Sequence, residues 1–300
     1  MAPMIGCRRV AIRRLRRGSA VLAVGLGWGL LTAPATAQQQ YELQDDRSWK
    51  QLTAFEPNTP EGRLQGIRRM VAQEKGKQAQ KAATAWIKEH PNHELLAEAY
   101  LLRADAMVVR RNYYKSLYDY EHLARQYPES EQFFIALERE LAIAKLFAAG
   151  MRRKLWGMRI IGAGGEAEEL FIRVQERAPG SQLGEEASLA LGDYYFGRAE
   201  MDSAAEAYDL FLINYPRSTR RERAMLQLIR ANLATFKGPR FDASGLIEAA
   251  ERLKVYQNEF PAAAEQLGAD ALLVRIEESL ALKALFTGRW YEKRGDRVSA

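Results

Sequence analysis

The sequence predicts an all-α protein, a right-handed solenoid of stacked helical hairpins, and three observations carry that expectation. In residues 184–216 two apolar ladders recur at helical spacing: Ala187, Leu191 and Tyr195, then Ala204, Tyr208 and Phe211. Each set shares one face of a helix. Pairs that end such a unit in proline recur along the chain: His90-Pro91, Tyr127-Pro128, Ala178-Pro179, Tyr215-Pro216 and Phe260-Pro261. Proline cannot continue a helix and restricts the residue before it. No run alternates with period two, so no strand is expected anywhere.

Residues 184–216 fit the tetratricopeptide pattern W-x2-L-G-x2-Y…A-x3-F…P. Leu191, Gly192, Tyr195, Ala204, Tyr208 and Pro216 fall on it at the right spacing and are the expected packing residues; Ser188 stands in the Trp place. Gly192 has no side chain and lets the return helix come close. One hairpin cannot bury its apolar face alone, so neighbours must stack on it. The fold expected is therefore a right-handed TPR superhelix of five helical hairpins plus an incomplete sixth.

The remaining units follow in order. The first pairs Leu64, Ile67 and Val71 with Ala79, Ala83 and Trp86. The second pairs Tyr100, Ala104 and Met107 with Ser116, Tyr120 and Leu123. The third joins Leu137, Leu141 and Ala144 to Ala167, Phe171 and Val174 across an insert. The fifth sets Leu228, Ala231 and Thr235 against Ala249, Leu253 and Tyr256, with a Lys237-Gly238-Pro239-Arg240 insert. Successive prolines lie 37, 51, 37 and 45 residues apart, against a standard period of about 34, and inserts of uneven length account for the excess. Residues 285–291 align with 189–195 without a gap, and Ala300 then matches Ala204. The sixth unit is thus expected to be completed by further chain or covered by a partner.

The net charge of +6 does not mark a nucleic-acid binder. Residues 1–37 hold six arginines and no acid, and without them 38 basic residues face 38 acidic ones. A neutral chain lacks the footprint of a phosphate-backbone binder. Residues 1–37 read as a secretory signal: an Arg-rich start, the apolar run SAVLAVGLGWGLL, then Ala35-Thr36-Ala37 as a cleavage site. Residues 38–60 read as an exposed lead-in, with Trp49, Leu52 and Phe55 spaced like one helical turn, and residues 61–300 as the solenoid. The only cysteine, Cys7, lies in the signal, which leaves a mature chain no disulfide, thiolate metal site or Cys nucleophile.

No catalytic, cofactor or metal site is expected. Ile160-Ile161-Gly162-Ala163-Gly164-Gly165 resembles a dinucleotide fingerprint, but no buried strand is expected before it, and Glu166, Glu168 and Glu169 stand where phosphate would sit. It reads as a flexible turn. His90, His93 and His122 offer no ligand set. Carboxylate pairs such as Glu185-Glu186 suit solvation and helix starts. Binding residues are more plausible. The insert MRRKLWGMRII at 151–161 alternates cations with apolar groups around Trp156, a mixture that suits a partner's groove or a membrane surface. First helices line the concave face of such solenoids, which makes Tyr100, Arg103, Tyr194, Arg198 and Arg230 candidates for partner contact.

AAEAYDLFLINYPRS at 204–218 and RIEESLALKALFTGRWYEKRGDRVSA at 275–300, with the secretory start and the aromatic-Pro closures, resemble the BamD family. That resemblance implies a tetratricopeptide protein of the periplasm and the outer membrane's periplasmic side. It would act as a scaffold in β-barrel assembly, with assembly subunits or unfolded barrel substrates as partners and possible peripheral membrane contact. The family's lipidated cysteine after the signal is absent here, and the 151–161 insert falls within a repeat. Tol-Pal or peptidoglycan-associated repeat adaptors share the same hairpins.

Overall fold

A computed structural model of the 300-residue chain describes residues 41–43, 49–51, 56–155, 158–162 and 164–299. The chain divides into two compact units, Met1–Thr53 and Ala54–Ala300. In the first, strand β1 (Tyr41–Leu43) pairs antiparallel with β2 (Trp49–Gln51), Leu43 opposite Trp49. The expected helical turn through Trp49 is therefore corrected: Trp49 lies in a strand. Strands of three residues are too short to show a period. Leu52 and Phe55 lie outside the described residues.

The second unit is an α-α solenoid. Its helices are α1 (Pro60–Ala72), α2 (Gly76–Glu89), α3 (Leu96–Val109), α4 (Tyr113–Gln126), α5 (Gln132–Ala148), α6 (Gly164–Arg177), α7 (Gln182–Gly197), α8 (Met201–Asn214), α9 (Arg221–Thr235), α10 (Ser244–Glu259), α11 (Pro261–Leu267) and α12 (Ala269–Lys293). They pair as five hairpins, α1–α2 through α9–α10, each packed on the next. Pro261 does more than end α10: it occupies the first turn of α11, and Gly268, in the left-handed region at φ 70°, then redirects the chain into α12.

Local chemistry explains the boundaries. Thr59 caps α1 and Ser181 caps α7, each side chain accepting from the backbone N–H three residues on at 3.1 Å. The turns inside three hairpins each require one left-handed residue, supplied by Glu74, Arg111 and Ala199 at φ 57°, 56° and 61°. Gly150 takes the same conformation after α5. There the chain does not return at once. It forms β3 (Arg152–Leu155) and β4 (Met158–Gly162), an antiparallel hairpin with an irregularity between Arg153 and Lys154. This overturns the expectation of no strands. Neither strand alternates, because β3 reads RRKL and β4 reads MRIIG, so a period-two test could not find them. It also revises the glycine-rich turn: Gly162 ends β4 and Gly164 opens α6. Among the described residues the strand before the glycines pairs only with β3, antiparallel, and forms no parallel βαβ unit.

The core runs along the hairpin seams. Trp86, Tyr120, Tyr208, Tyr256, Phe147, Phe171 and Phe211 are fully enclosed. Buried Trp and Tyr tips need acceptors, and three of them show how the seams provide one. Trp86 Nε1 donates to the Pro60 carbonyl at 3.0 Å, tying α2 to the start of α1. Two hairpins repeat one clamp. Tyr120 on α4 donates to Asp105 on α3 at 2.6 Å, and Arg139 on α5 approaches the same carboxylate at 3.4 Å. Tyr208 on α8 donates to Asp193 on α7 at 2.8 Å, and Arg223 on α9 holds the same carboxylate at 2.6 Å. One aspartate thus joins both helices of its own hairpin to the first helix of the next. Burial, then the aspartate beside each hydroxyl, pushes both phenols far above the ordinary tyrosine range.

Candidate partner-binding surface

The first helices carry the candidate residues, but the fold spends several of them internally. Arg103 on α3 makes a bidentate pair with Asp119 on α4 at 2.6 and 2.7 Å, and its guanidinium lies 5.1 Å from the Tyr100 ring centroid. The bond to Asp119 raises the Arg103 pKa, against the effect of burial. Tyr100 is half-buried and packs on His122 at 4.4 Å and Tyr127 at 6.3 Å. Both side chains therefore hold α3 to α4.

Tyr194 was expected to stand free of the packing made by Tyr195. Instead it is the more buried of the two, at 8% exposure, against Phe171 and Tyr195. On α7 adjacent residues lie about 100° apart, and both directions are occupied, one by α6 and one by the Arg198 side chain. The Arg198 guanidinium covers the Tyr194 ring at 5.5 Å and pairs with Glu200 at 2.6 Å. Tyr195 donates to Glu168 on α6 at 2.8 Å; burial and that carboxylate push its phenol up to about 12. The edge of Tyr194 still reaches a pocket of about 390 Å³ shared with Lys145, Phe171, Asp193 and Arg198. Arg230 on α9 is exposed and bonds to Gln227 at 2.9 Å. Trp156 lies outside the described residues. Of the five described candidates, Tyr194 and Arg198 share a pocket, while Tyr100 and Arg103 form a separate internal contact.

The packing residues meet around Gly192. A Cβ there would lie 2.6 Å from Tyr208 Cε1, so glycine sets how closely α8 approaches α7. Ala204 and Tyr208 are fully buried, Leu191 and Tyr195 half-buried, and Pro216 follows the end of α8 on the surface. The histidines of the first hairpin pack as rings: His90 and His93 lie 4.8 and 5.3 Å from Trp86, and His93 Nδ1 accepts from the Leu95 N–H.

The second half of α12 carries a surface that sequence reasoning overlooked. Leu282, Phe286 and Trp290 recur every four residues on one face and are 45%, 37% and 47% exposed. Beside them, a pocket of about 650 Å³ is lined by Arg240, Lys283, Phe286, Arg289, Trp290 and Lys293, among others, and by no acid. Lys283 donates to the Phe241 carbonyl. Arg240, Arg289 and Lys293 pair with no carboxylate among the described residues. The Arg294 guanidinium sits 3.8 Å from the Trp290 centroid. The signal was in the repeat alignment: Arg289 falls at the place of Asp193, where α7 holds the clamp to its return helix. The same place on α12 is a cation, and its neighbours are exposed aromatics.

Residues 162–300 match the model of the YfiO family, described as outer membrane lipoprotein. The match spans the end of β4 onward, just under half of the chain, and includes both α12 and the α7–α8 hairpin. No curated protein matched the sequence. Among solved structures, the type IV pilus biogenesis factor PilW aligns at 15% identity and TM-score 0.34, covering 78% of this chain and 93% of its own. A thermophilic TPR protein of Thermus thermophilus aligns at 16% identity and TM-score 0.31, covering 74% and 100%. Among the described residues no helix is long and apolar enough to cross a membrane.

Proposed function

We propose that the chain is a periplasmic scaffold that binds protein partners during assembly of β-barrel proteins into the outer membrane, and that it performs no catalysis itself. The observation that carries this reading is the match of residues 162–300 to an outer membrane lipoprotein family, in the part of the chain that ends in the uncovered basic-aromatic face of α12. Exposed Trp and Arg in one patch are the residue types that supply most binding energy at protein interfaces. An exposed apolar patch rimmed by charge is a place for a partner. Residues 1–37 serve as the export signal in this reading. Trp156 and the pocket beside Tyr194 and Arg198 supply further contacts, and Tyr100, Arg103 and Arg230 support or flank them.

The test is photocrosslinking in the cell envelope from a reactive residue placed at Trp290, with a second at Arg198, followed by mass spectrometry of the products. Capture of β-barrel assembly subunits or of nascent barrel proteins is expected. Capture confined to peptidoglycan-linked or Tol-Pal proteins would replace this reading with an envelope adaptor.

A further inference from the structure

The insert between α5 and α6 folds as a sheet of its own. Among the described residues β3 and β4 pair only with each other, and no helix packs extensively on either strand. A two-stranded hairpin standing by itself is marginally stable in water, and a third strand or a packed helix is what normally supports one. The two edges are unequal. Arg153 pairs with Ile161 and Lys154 with Arg159, so Ile160 is an extra residue on β4. Such a bulge bends its strand and turns that edge away from further pairing. β3 carries no extra residue, and in an antiparallel pair alternate backbone N–H and C=O groups of each strand point away from its partner. Its sequence is Arg152-Arg153-Lys154-Leu155, and no acid occurs from Met151 to Gly165. Like charges directly opposite are unfavourable, which deters a second copy of this chain from pairing along β3. Just before β3, Ala148 lines the pocket that Phe171, Tyr194 and Arg198 share. Even a fully extended chain would place Arg152 within about 14 Å of it.

We propose that the outer edge of β3 takes up an extended, acidic segment of a partner polypeptide as a third strand of this sheet. Main-chain hydrogen bonds supply the contact in strand addition, and side chains select the partner. Here the selection is by charge: carboxylates on the incoming strand meet Arg152, Arg153 and Lys154, where a neutral or basic strand would leave those cations uncompensated. The added strand also gives the hairpin the support that two strands lack. The pocket at Ala148 is within reach of the same segment and is lined by Phe171 and Tyr194, which suits one apolar side chain. The inference rests on the reading that this chain binds protein partners, and it holds whether or not those partners belong to barrel assembly.

The experiment titrates the full chain with a short peptide of alternating glutamate and valine, reading amide hydrogen exchange at Arg152–Leu155 by NMR. The peptide should bind saturably and slow that exchange, and a lysine–valine peptide should do neither. Backbone N-methylation at every second residue of the peptide keeps its charges and removes the N–H groups of one edge. Methylating one alternate set should weaken binding about tenfold or more, and methylating the other set should be tolerated, because an added strand pairs along one edge only. The double variant Arg152→Glu with Lys154→Glu should lose about tenfold in affinity for the glutamate peptide and gain binding of the lysine peptide; that exchange of preference also shows that the variant is folded. An unchanged preference, equal effects of the two methylated sets, or no slowing of exchange would overturn the proposal. Slowing by phosphatidylglycerol vesicles and not by the peptide would assign the cations to a membrane surface, and slowing by raised protein concentration alone would assign the edge to a second copy; either would overturn it too. The measurement uses no envelope partner, so it fails or succeeds apart from the crosslinking at Trp290.

Discussion

Gly192→Ala tests the contact on which the α7–α8 hairpin depends. The added Cβ would lie 2.6 Å from Tyr208 Cε1 and 2.7 Å from Cδ1, whereas comfortable carbon contacts lie at about 3.5–4.0 Å. The ring must therefore retreat by about 1 Å. It has little room, because Tyr208 is fully buried and its hydroxyl is held by Asp193 at 2.8 Å. Overpacking of this kind costs about 1–3 kcal/mol, and loosening the hydroxyl bond adds about 1 kcal/mol. Alanine's better helix propensity returns about 1 kcal/mol. The net expectation is a loss of about 1–3 kcal/mol, measured by urea denaturation followed by far-UV circular dichroism. The decisive comparison is the same substitution in a Tyr208→Leu background, where no ring opposes the Cβ and the change should be neutral or stabilising. Stabilisation by Gly192→Ala alone, or an equal penalty in both backgrounds, would refute close approach as the reason for glycine.

Four further outcomes follow from the geometry. Burial pushes the fully enclosed Glu140 carboxyl up to about 7, against the opposing charge of Arg177. The native state then holds that proton more tightly than the unfolded chain, so this contribution to stability is full below about pH 4.5 and is lost as pH rises through about 7. Glu140→Gln should flatten that slope and raise stability at pH 8 by on the order of 1–3 kcal/mol, read from urea midpoints across pH. Arg103→Ala strands Asp119, which is 6% exposed, and should cost about 3 kcal/mol in the same assay. Ala199→Gly relieves a left-handed alanine at φ 61° and should raise stability by about 0.5–1 kcal/mol; a lower melting midpoint would contradict the turn assignment. Arg289→Glu with Trp290→Ala should abolish crosslinks made from probes at Arg198 and on α12 to any shared partner while leaving the circular dichroism spectrum intact; undiminished capture would remove α12 from the interface.

The helical register was legible because burial repeats at about 3.6 residues: Ala79, Ala83 and Trp86, or Ala249, Leu253 and Tyr256, are enclosed where their spacing placed them. Gly192 was legible because its neighbour in the pattern is a ring. The strands were not, since β1 and β2 hold three residues each, and β3 (RRKL) and β4 (MRIIG) do not alternate. The burial of Tyr194 was not legible, because sequence spacing locates a side chain around its own helix and not the helix that arrives to cover it. The Arg103 ion pair was hidden for a similar reason: its partner, Asp119, lies on the next helix. The α12 surface became visible only when the alignment of Arg289 with Asp193 was set beside the exposure of Trp290.

The Asp–Tyr–Arg clamps have a consequence for how order is lost. Each ties a hairpin only to its successor, and the substantial packing contacts run between helices one or two steps apart. Among the described residues no hydrogen bond or ion pair joins α1 to α10. Opening can therefore progress hairpin by hairpin and halt at any seam strong enough to resist it. Amide exchange would record this as values that differ from hairpin to hairpin, in place of one value shared by all the helices.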